Sequence, residues 1–160
     1  MIQKICILLL LFSFGKNQTI SKKEYHYEYY ANGTIKAEGW KSGNAKVDFW
    51  HFYYPNGKVS KQGHFNQNKK NGYWHFYSEN SKLLKEGHFV NDKAEKWWII
   101  YDIATQIIQK YQYKNNKREG YSLLYKNNTL FKAERYINDK KTGEWTDIFS
   151  FKRDNPNASL

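Results

Sequence analysis

Histidines are the residues of this chain with the clearest potential for metal chemistry, because they recur at fixed positions. The chain has five of them, and two pairs are spaced alike: His51 with His75, and His64 with His88. If the spacing covers two strands of a sheet, the members of a pair lie about 10 Å apart, since neighbouring strands are about 4.8 Å apart. Zinc–nitrogen bonds are about 2 Å long, so one ion cannot bind both. We therefore predict no metal site and no cofactor.

The carboxylates show no arrangement typical of a hydrolase. Such enzymes pair a nucleophile with a base or hold two carboxylates in a cleft, whereas the 15 acidic residues here are scattered along the chain. Glu38, Glu86 and Glu134 recur at nearly equivalent positions, which favours cross-strand pairing with lysine over catalysis. The sequence contains no glycine-rich phosphate loop, nucleophile elbow or His-Glu-x-x-His motif. We predict a protein that is not an enzyme.

Aromatic residues, which form 19% of the chain, are the strongest candidates for a binding surface. A column of tyrosines, one per repeat and flanked by two lysines, is the predicted partner surface: Tyr29, Tyr53, Tyr77, Tyr101 and Tyr125, with Lys58 and Lys82. Rings interleaved with lysine can stack nucleic-acid bases. However, the tyrosines follow the period of the repeat, so half-buried cross-strand packing explains them equally well. We do not expect nucleic acid as the partner.

These positions are set by an internal repeat of about 24 residues. One position of the repeat is occupied, copy by copy, by Trp50, Trp74, Trp98, Ser122 and, in a shortened fifth copy, Trp145. The spacings are 24, 24, 24 and 23 residues. A fixed period in this range is typical of repeat architectures, in which each unit buries its apolar side chains against its neighbours.

Each copy has the sequence pattern of a β-hairpin. An aromatic run, 50–54, leads to Pro55-Asn56-Gly57, and a second alternating run covers 58–65. Asn-Gly favours a two-residue type I′ turn, because both central residues need positive φ. That hairpin places Trp50 opposite Gly63, with the ring over the glycine. Similar turns are predicted at Asn32-Gly33, Asn80-Ser81, Ala104-Thr105 and Asn128-Thr129.

Alternation of side chains places the large rings of every copy on one face of the sheet and the tyrosine column on the other. The predicted repeat core consists of Trp50, Phe52, Phe65, Trp74, Phe76, Phe89 and Trp98, continued by Leu124, Phe131 and Ile137. We predict that this face is apolar throughout. A single sheet with an apolar face must curl over it, pair with a second molecule or cover it with a ligand.

The first 19 residues have the pattern of a secretory signal peptide. Lys4 precedes a ten-residue apolar run, 5–14, and small residues follow at a cleavage site. The run is short for a membrane span; a buried strand and an uncleaved anchor are the alternatives. Cys6, the single cysteine, lies inside this segment. We expect export to the periplasm, the cell envelope or the medium, with a repeat domain over 20–151 and a flexible tail over 152–160.

The net charge of +11 comes from lysines that fall mostly in the turns between copies: Lys69-Lys70, Lys93, Lys96, Lys114, Lys117-Arg118 and Lys140-Lys141. We expect these turns to form a basic rim along one edge of the sheet. Such a rim attracts an anionic membrane surface, nucleic acid or an acidic protein without selecting among them. Lysines that merely keep turns solvated and edges unpaired are the simpler explanation.

The stretch 53–74, YYPNGKVSKQGHFNQNKKNGYW, resembles the bacterial variant of the MORN repeat. The pattern of that repeat is roughly Tyr-Tyr-x-Asn-Gly-Lys-x-x-x-x-Gly-x-Phe-x-x-Gly-x-x-x-Gly-x-Trp. The copies over 29–50 and 77–98 match in part, and the last two match weakly. The resemblance implies an elongated, single-layer antiparallel sheet. Many bacterial chains of this YwqK-like type are labelled toxin–antitoxin system antitoxins, and eukaryotic relatives serve as membrane-associated or scaffolding modules.

We therefore predict an all-β protein, an elongated single-layer antiparallel meander of about eleven strands in about five and a half repeats. The functional hypothesis is a non-catalytic binding or scaffolding protein that mediates protein–protein or envelope-surface interactions. The alternative is an antitoxin or immunity-like protein that binds and neutralises a toxin. A protein partner is expected in either case, and self-association is a further expectation.

Overall fold

The computed structural model describes residues 22–158, which form one antiparallel sheet of eleven strands in sequence order. The strands are β1 (Lys23–Tyr29), β2 (Ile35–Ser42), β3 (Ala45–Tyr53), β4 (Val59–Asn66), β5 (Lys69–Tyr77), β6 (Leu83–Val90), β7 (Lys93–Asp102), β8 (Ile107–Lys114), β9 (Lys117–Lys126), β10 (Thr129–Ile137) and β11 (Lys140–Trp145). The predicted meander of tandem hairpins is confirmed. The predicted signal peptide, with Cys6, lies outside the described residues.

The tryptophans of the first three copies are the centre of the packing. Trp50 and Trp74 are fully buried, and Trp98 is 6% exposed. Each tryptophan is directly opposite a glycine in the preceding strand, as Trp74 is opposite Gly63. A Cβ on Gly63 would lie 2.4 Å from Cδ2 of Trp74, so the bare backbone is what admits the indole. The predicted pairing of Trp50 with Gly63 is confirmed, but the Trp50 ring covers Gly39 instead.

Rings of neighbouring copies pack against each other without interruption. The ring centroid of Trp74 lies 6.2 Å from that of Phe52 and 5.1 Å from that of Phe65, both in the preceding copy. On the other side it lies 6.2 Å from Phe89. Because the rings of each copy complete the packing of the next, no single hairpin holds a core of its own.

The Asn-Gly hairpins use a different turn from the one predicted. The N–H of Gly57 donates to the carbonyl of Tyr54 at 2.9 Å, and the N–H of Tyr54 donates to the carbonyl of Lys58 at 2.8 Å. Gly57 has a φ of +79°, whereas Asn56 is not among the residues with positive φ. The loop is therefore a type I turn followed by a left-handed glycine. The type I′ prediction was wrong here, because Pro55 fixes a negative φ at the first central position.

Type I′ geometry occurs in two-residue loops, most of them between copies. Both loop residues have positive φ in Gln67-Asn68, Asn91-Asp92, Asn115-Asn116, Asn127-Asn128 and Asn138-Asp139. The loop side chain also contacts the preceding copy: Oδ1 of Asn68 accepts from the N–H of Lys46 at 2.7 Å. The equivalent bond joins Asp92 to Lys70 at 2.8 Å. These turns thus hold consecutive copies together as well as reversing the chain.

The last part of the chain departs from the repeat. Helix α1 (Ile148–Asp154) packs on β10 and β11, and Phe151 is fully buried in a cluster with Leu123 and Ala133. The side chain of Asn155 accepts from the Tyr121 hydroxyl at 2.9 Å. The prediction of a flexible tail over 152–160 therefore does not describe the residues up to 158. Within residues 22–158, no helix is long and apolar enough to cross a membrane.

Two predicted members of the ring face, Phe131 and Ile137, lie elsewhere, and Trp145 does not share the face of the other repeat tryptophans. Trp145 is directly opposite Ala133 and packs on Phe151 at a centroid distance of 5.4 Å, on the face that α1 covers. Phe131 lies at a register irregularity and is 38% exposed, and Lys132 is the residue directly opposite Leu124. Ile137 is 45% exposed at the end of β10.

Candidate functional site

The sheet has two faces of different chemistry, and each can be followed through residues that are directly opposite across successive strands. What we call the ring-and-lysine face contains the row Phe52, Lys61, Phe76, Lys85 and Ile100. What we call the tyrosine face contains the row Glu38, His51, Gln62, His75 and Glu86. The two rows differ in charge and in how far their polar groups are already bonded.

Lysine ammonium groups lie over the rings of the ring-and-lysine face. Nζ of Lys46 is 4.1 Å from the centroid of the Trp50 ring, and Nζ of Lys61 is 4.8 Å from that of Phe52. Lys70 over Phe89 and Lys85 over Phe76 repeat the arrangement at 4.8 and 5.0 Å. These are cation–π distances. The prediction that this face is apolar throughout was wrong, because lysines alternate with rings along it.

The lysines in the middle of this face lack acidic partners. Lys46 pairs with Glu28 at 2.8 Å, but no carboxylate of the described chain lies within ion-pair distance of Lys61, Lys70 or Lys85. Burial lowers the pKa of Lys61, and repulsion by Lys70 and Lys46 lowers it further. The middle of this face is therefore a surface of rings and of lysines without acidic partners in the described chain.

The predicted basic rim is incomplete, because two of its members turn onto the faces of the sheet. Lys70 lies over Phe89, as described above. The guanidinium of Arg118 lies 4.1 Å from the centroid of the Tyr136 ring and pairs with Asp139 at 3.4 Å. Between-copy lysines thus contribute to packing as well as to the edge.

On the tyrosine face, the hydroxyls of the column are bonded within the protein. Tyr53 donates to Glu38 at 2.5 Å, and Tyr101 donates to Glu86 at 2.7 Å. Tyr77 accepts from the side chain of Gln62 at 3.2 Å. Nε2 of His75 lies 3.3 Å from the Glu86 carboxylate. In this part of the chain the tyrosine hydroxyls and the carboxylates bond within the protein, whereas Nδ1 of His75 is buried with no hydrogen-bond partner among the described residues.

The remaining members of the predicted partner surface lie in separate environments. Tyr29 is 59% exposed at the edge of the sheet. Tyr125 packs against the cluster under α1, with Nζ of Lys110 4.9 Å from its ring centroid. Lys58 and Lys82 are exposed at hairpin turns. The tyrosines of the column therefore recur at one position of the repeat, but their surroundings differ from copy to copy.

Sequence reasoning missed a second set of tyrosines that ties the copies together. The hydroxyl of Tyr30 donates to the carbonyl of Tyr53, and that of Tyr54 donates to the carbonyl of Tyr77, both at 2.7 Å. The signal was present, since they are the second residues of two Tyr-Tyr pairs that lie 24 residues apart. These bonds fix the hairpin ends, so we assign these two tyrosines to the scaffold.

The tyrosine face predicts a particular response to alkaline pH. Burial, and then the hydrogen bond to Glu86, raise the pKa of Tyr101 above its ordinary value. In the unfolded chain the hydroxyl ionises near pH 10. The protonated Tyr101 hydroxyl therefore stabilises the folded chain fully below about pH 10. This stabilisation is lost as the pH rises above that value, because Tyr101 of the unfolded chain then releases its proton first.

We expect Glu86→Gln to lower the pKa of Tyr101, because the negative charge that opposes ionisation is removed. Titration of tyrosinate absorbance measures the change in pKa. Unfolding midpoints recorded between about pH 8 and 11 measure the accompanying change in stability. Glu79→Gln, which changes an exposed turn residue, is the matched control. Identical titration curves for the two variants would contradict the assigned role of Glu86.

Among residues 22–158, no group of three or more His, Cys, Asp or Glu side chains is arranged to hold a metal ion. No protein-family model matches the chain, and no curated protein matches it significantly. Function is therefore inferred from the two faces of the sheet.

Proposed function

We propose that this protein is a non-catalytic, MORN-repeat-like binding protein that holds an acidic protein partner against its ring-and-lysine face. The observation that carries the proposal is the presence of Lys61, Lys70 and Lys85 over aromatic rings with no carboxylate in ion-pair distance. Cations held close together repel one another, so an acidic partner gains Coulomb energy and relieves that repulsion.

The geometry of this face suits an extended partner. Lys61 and Lys85 lie in the same cross-strand row, two strands apart, which corresponds to about 10 Å. Phe76 lies directly between them, so apolar contact is available between the two charges. A segment with carboxylates at a similar separation would meet both ammonium groups while its apolar residues contact the ring.

The tyrosine face is the weaker candidate for the partner surface. Glu38 and Glu86 already accept hydrogen bonds from tyrosines, so a partner would have to replace bonds that exist. Helix α1 also covers this face at the end of the sheet. We therefore place the partner on the opposite side from the tyrosine column.

The test removes the three charges while keeping the first two methylene groups of each side chain. Lys61→Gln, Lys70→Gln and Lys85→Gln in one chain should weaken binding of a poly-glutamate probe about tenfold, since each lost ion pair with the probe contributes about 0.5 kcal/mol. Binding is measured by fluorescence anisotropy at two salt concentrations, because charge-driven binding weakens with salt.

The matched control changes three exposed turn lysines, Lys58→Gln, Lys82→Gln and Lys114→Gln, and so removes the same net charge. We expect this control to weaken binding much less. Equal losses in both triple variants would mean that net charge alone attracts the probe, and would contradict a specific face. Preferential binding to vesicles of anionic lipid over poly-glutamate would contradict the proposed protein partner.

A further inference from the structure

Within residues 22–158, strand β1 pairs only with β2, so it forms an open edge of the described sheet. The N–H of Tyr30 donates to the carbonyl of Thr34 across the first hairpin at 2.8 Å. Backbone groups of successive residues in a strand point in alternate directions. Those of Tyr29, Tyr27 and Tyr25 therefore point away from β2 and toward solvent.

On the tyrosine face, β1 presents a row of aromatic side chains, as an interior strand would. Tyr25, Tyr27 and Tyr29 are 41%, 45% and 59% exposed. Their rings contact one another along the strand, with centroid distances of 5.3 and 6.4 Å. A seven-residue edge strand with an aromatic stripe and no proline is a template for pairing with another strand.

The opposite edge of the sheet is different from the β1 edge. β11 has six residues, and α1 contacts both it and β10. An assembly through β1 alone uses the same surface on both molecules, and it therefore stops at two copies.

We propose that two copies of this chain pair through their β1 strands, antiparallel about a two-fold axis at Tyr27. An axis at Tyr27 pairs the whole stripe: Tyr27 meets Tyr27 of the second copy, and Tyr25 meets Tyr29 of the second copy. On the other face, the same register places His26 opposite Glu28 of the second copy, and symmetry repeats this polar pair. Axes at Tyr25 or Tyr29 would leave part of the stripe unpaired.

This arrangement is independent of the acidic partner, because it uses the edge of the sheet. It would extend one eleven-stranded sheet into a continuous sheet of twice the width. The tyrosines that are most exposed in one copy would be covered in the pair, which gives the contact an apolar component as well as backbone hydrogen bonds.

Sedimentation velocity of the full chain over a range of concentrations tests the proposal. We expect a reversible dimer. Tyr27→Pro removes an outward-pointing N–H without removing a donor to β2, and proline is tolerated at such edge positions. This variant should raise the dimer dissociation constant at least about tenfold. Phe149→Ala, which changes an aromatic residue that is 84% exposed on α1, should leave the constant unchanged.

A charge exchange tests the register without proline. His26→Glu sets carboxylates opposite Glu28 of the second copy and should weaken the dimer, whereas adding Glu28→His should restore it. Circular dichroism checks that each variant keeps its sheet. A monomeric wild-type chain, or a dimer that tolerates both Tyr27→Pro and His26→Glu, would overturn the proposal. Association through residues 1–21 would give a dimer that tolerates both substitutions.

Discussion

Replacing Trp74 with alanine is expected to lower the free energy of unfolding by about 4 kcal/mol, the range observed when large aromatic residues are removed from cores. Trp74 is fully buried and contacts four phenylalanine rings: Phe52, Phe65, Phe76 and Phe89. The cavity would lie where two copies meet, so both lose packing. Urea unfolding followed by far-ultraviolet circular dichroism measures the change without relying on the deleted indole.

Trp40→Ala is the matched control, since this indole is 40% exposed and packs on Tyr25 near the edge of the sheet. We expect this control to cost about 1 kcal/mol. Hydrogen exchange of the Trp74→Ala protein should show lost protection in the strands around β5 before any loss in β10 and α1, because coupling runs through nearest neighbours. Similar losses for the two tryptophans would contradict a core centred on Trp74.

Gly63→Ala is expected to cost about 3 kcal/mol, at the upper end of the effects of overpacking. The added Cβ would lie 2.4 to 2.5 Å from three carbons of the Trp74 ring, which is itself enclosed by its neighbours. Either the indole moves out of its packed position or the strands separate. Urea unfolding midpoints measure the loss in the free energy of unfolding. An unchanged slope of the transition checks that unfolding remains two-state.

Gly57→Asn provides the contrast, because a Cβ there meets nothing within 4 Å and asparagine tolerates the left-handed conformation. We expect this substitution to cost less than about 1 kcal/mol. A double variant of Gly63→Ala with Trp74→Ala should lose much less than the sum of the two single losses, because removing the ring removes the clash. Additive losses would mean that the contact with Trp74 is not the cause.

The sequence was sufficient for the architecture because two constraints agree in each copy. Strand alternation and the 24-residue period place Trp50, Trp74 and Trp98 on one face, and the glycines opposite them leave room for the rings. A one-residue change in spacing moves a side chain to the other face. The interval of 23 residues before Trp145 is consistent with its position under α1.

The turns and the terminal helix were harder to predict. Gln67-Asn68 contains no glycine, so its type I′ geometry depends on the tolerance of polar residues for positive φ and on a bond to the preceding copy. The helix is one of seven residues, held by the cap at Asp147 and by burial of Phe151. Its stability comes from packing rather than from a sequence pattern.

The candidate site was only partly visible in the sequence. Lys61 and Lys85 share the alternation of the rings, so their place on the ring face was available from the pattern. The bond between Tyr53 and Glu38 was not, because it joins residues that are 15 apart in the chain and not directly opposite in the register. Whether a polar side chain is already bonded depends on such diagonal contacts.

Nuclear Overhauser contacts between selectively labelled aromatic rings test the central structural claim most directly. We predict an unbroken series of contacts from Trp50 through Phe65, Trp74 and Phe89 to Trp98, where successive ring centroids lie 4.9 to 6.3 Å apart. Contacts confined within each copy, with none from Phe65 to Trp74 or from Phe89 to Trp98, would contradict a core that is shared between neighbouring repeats.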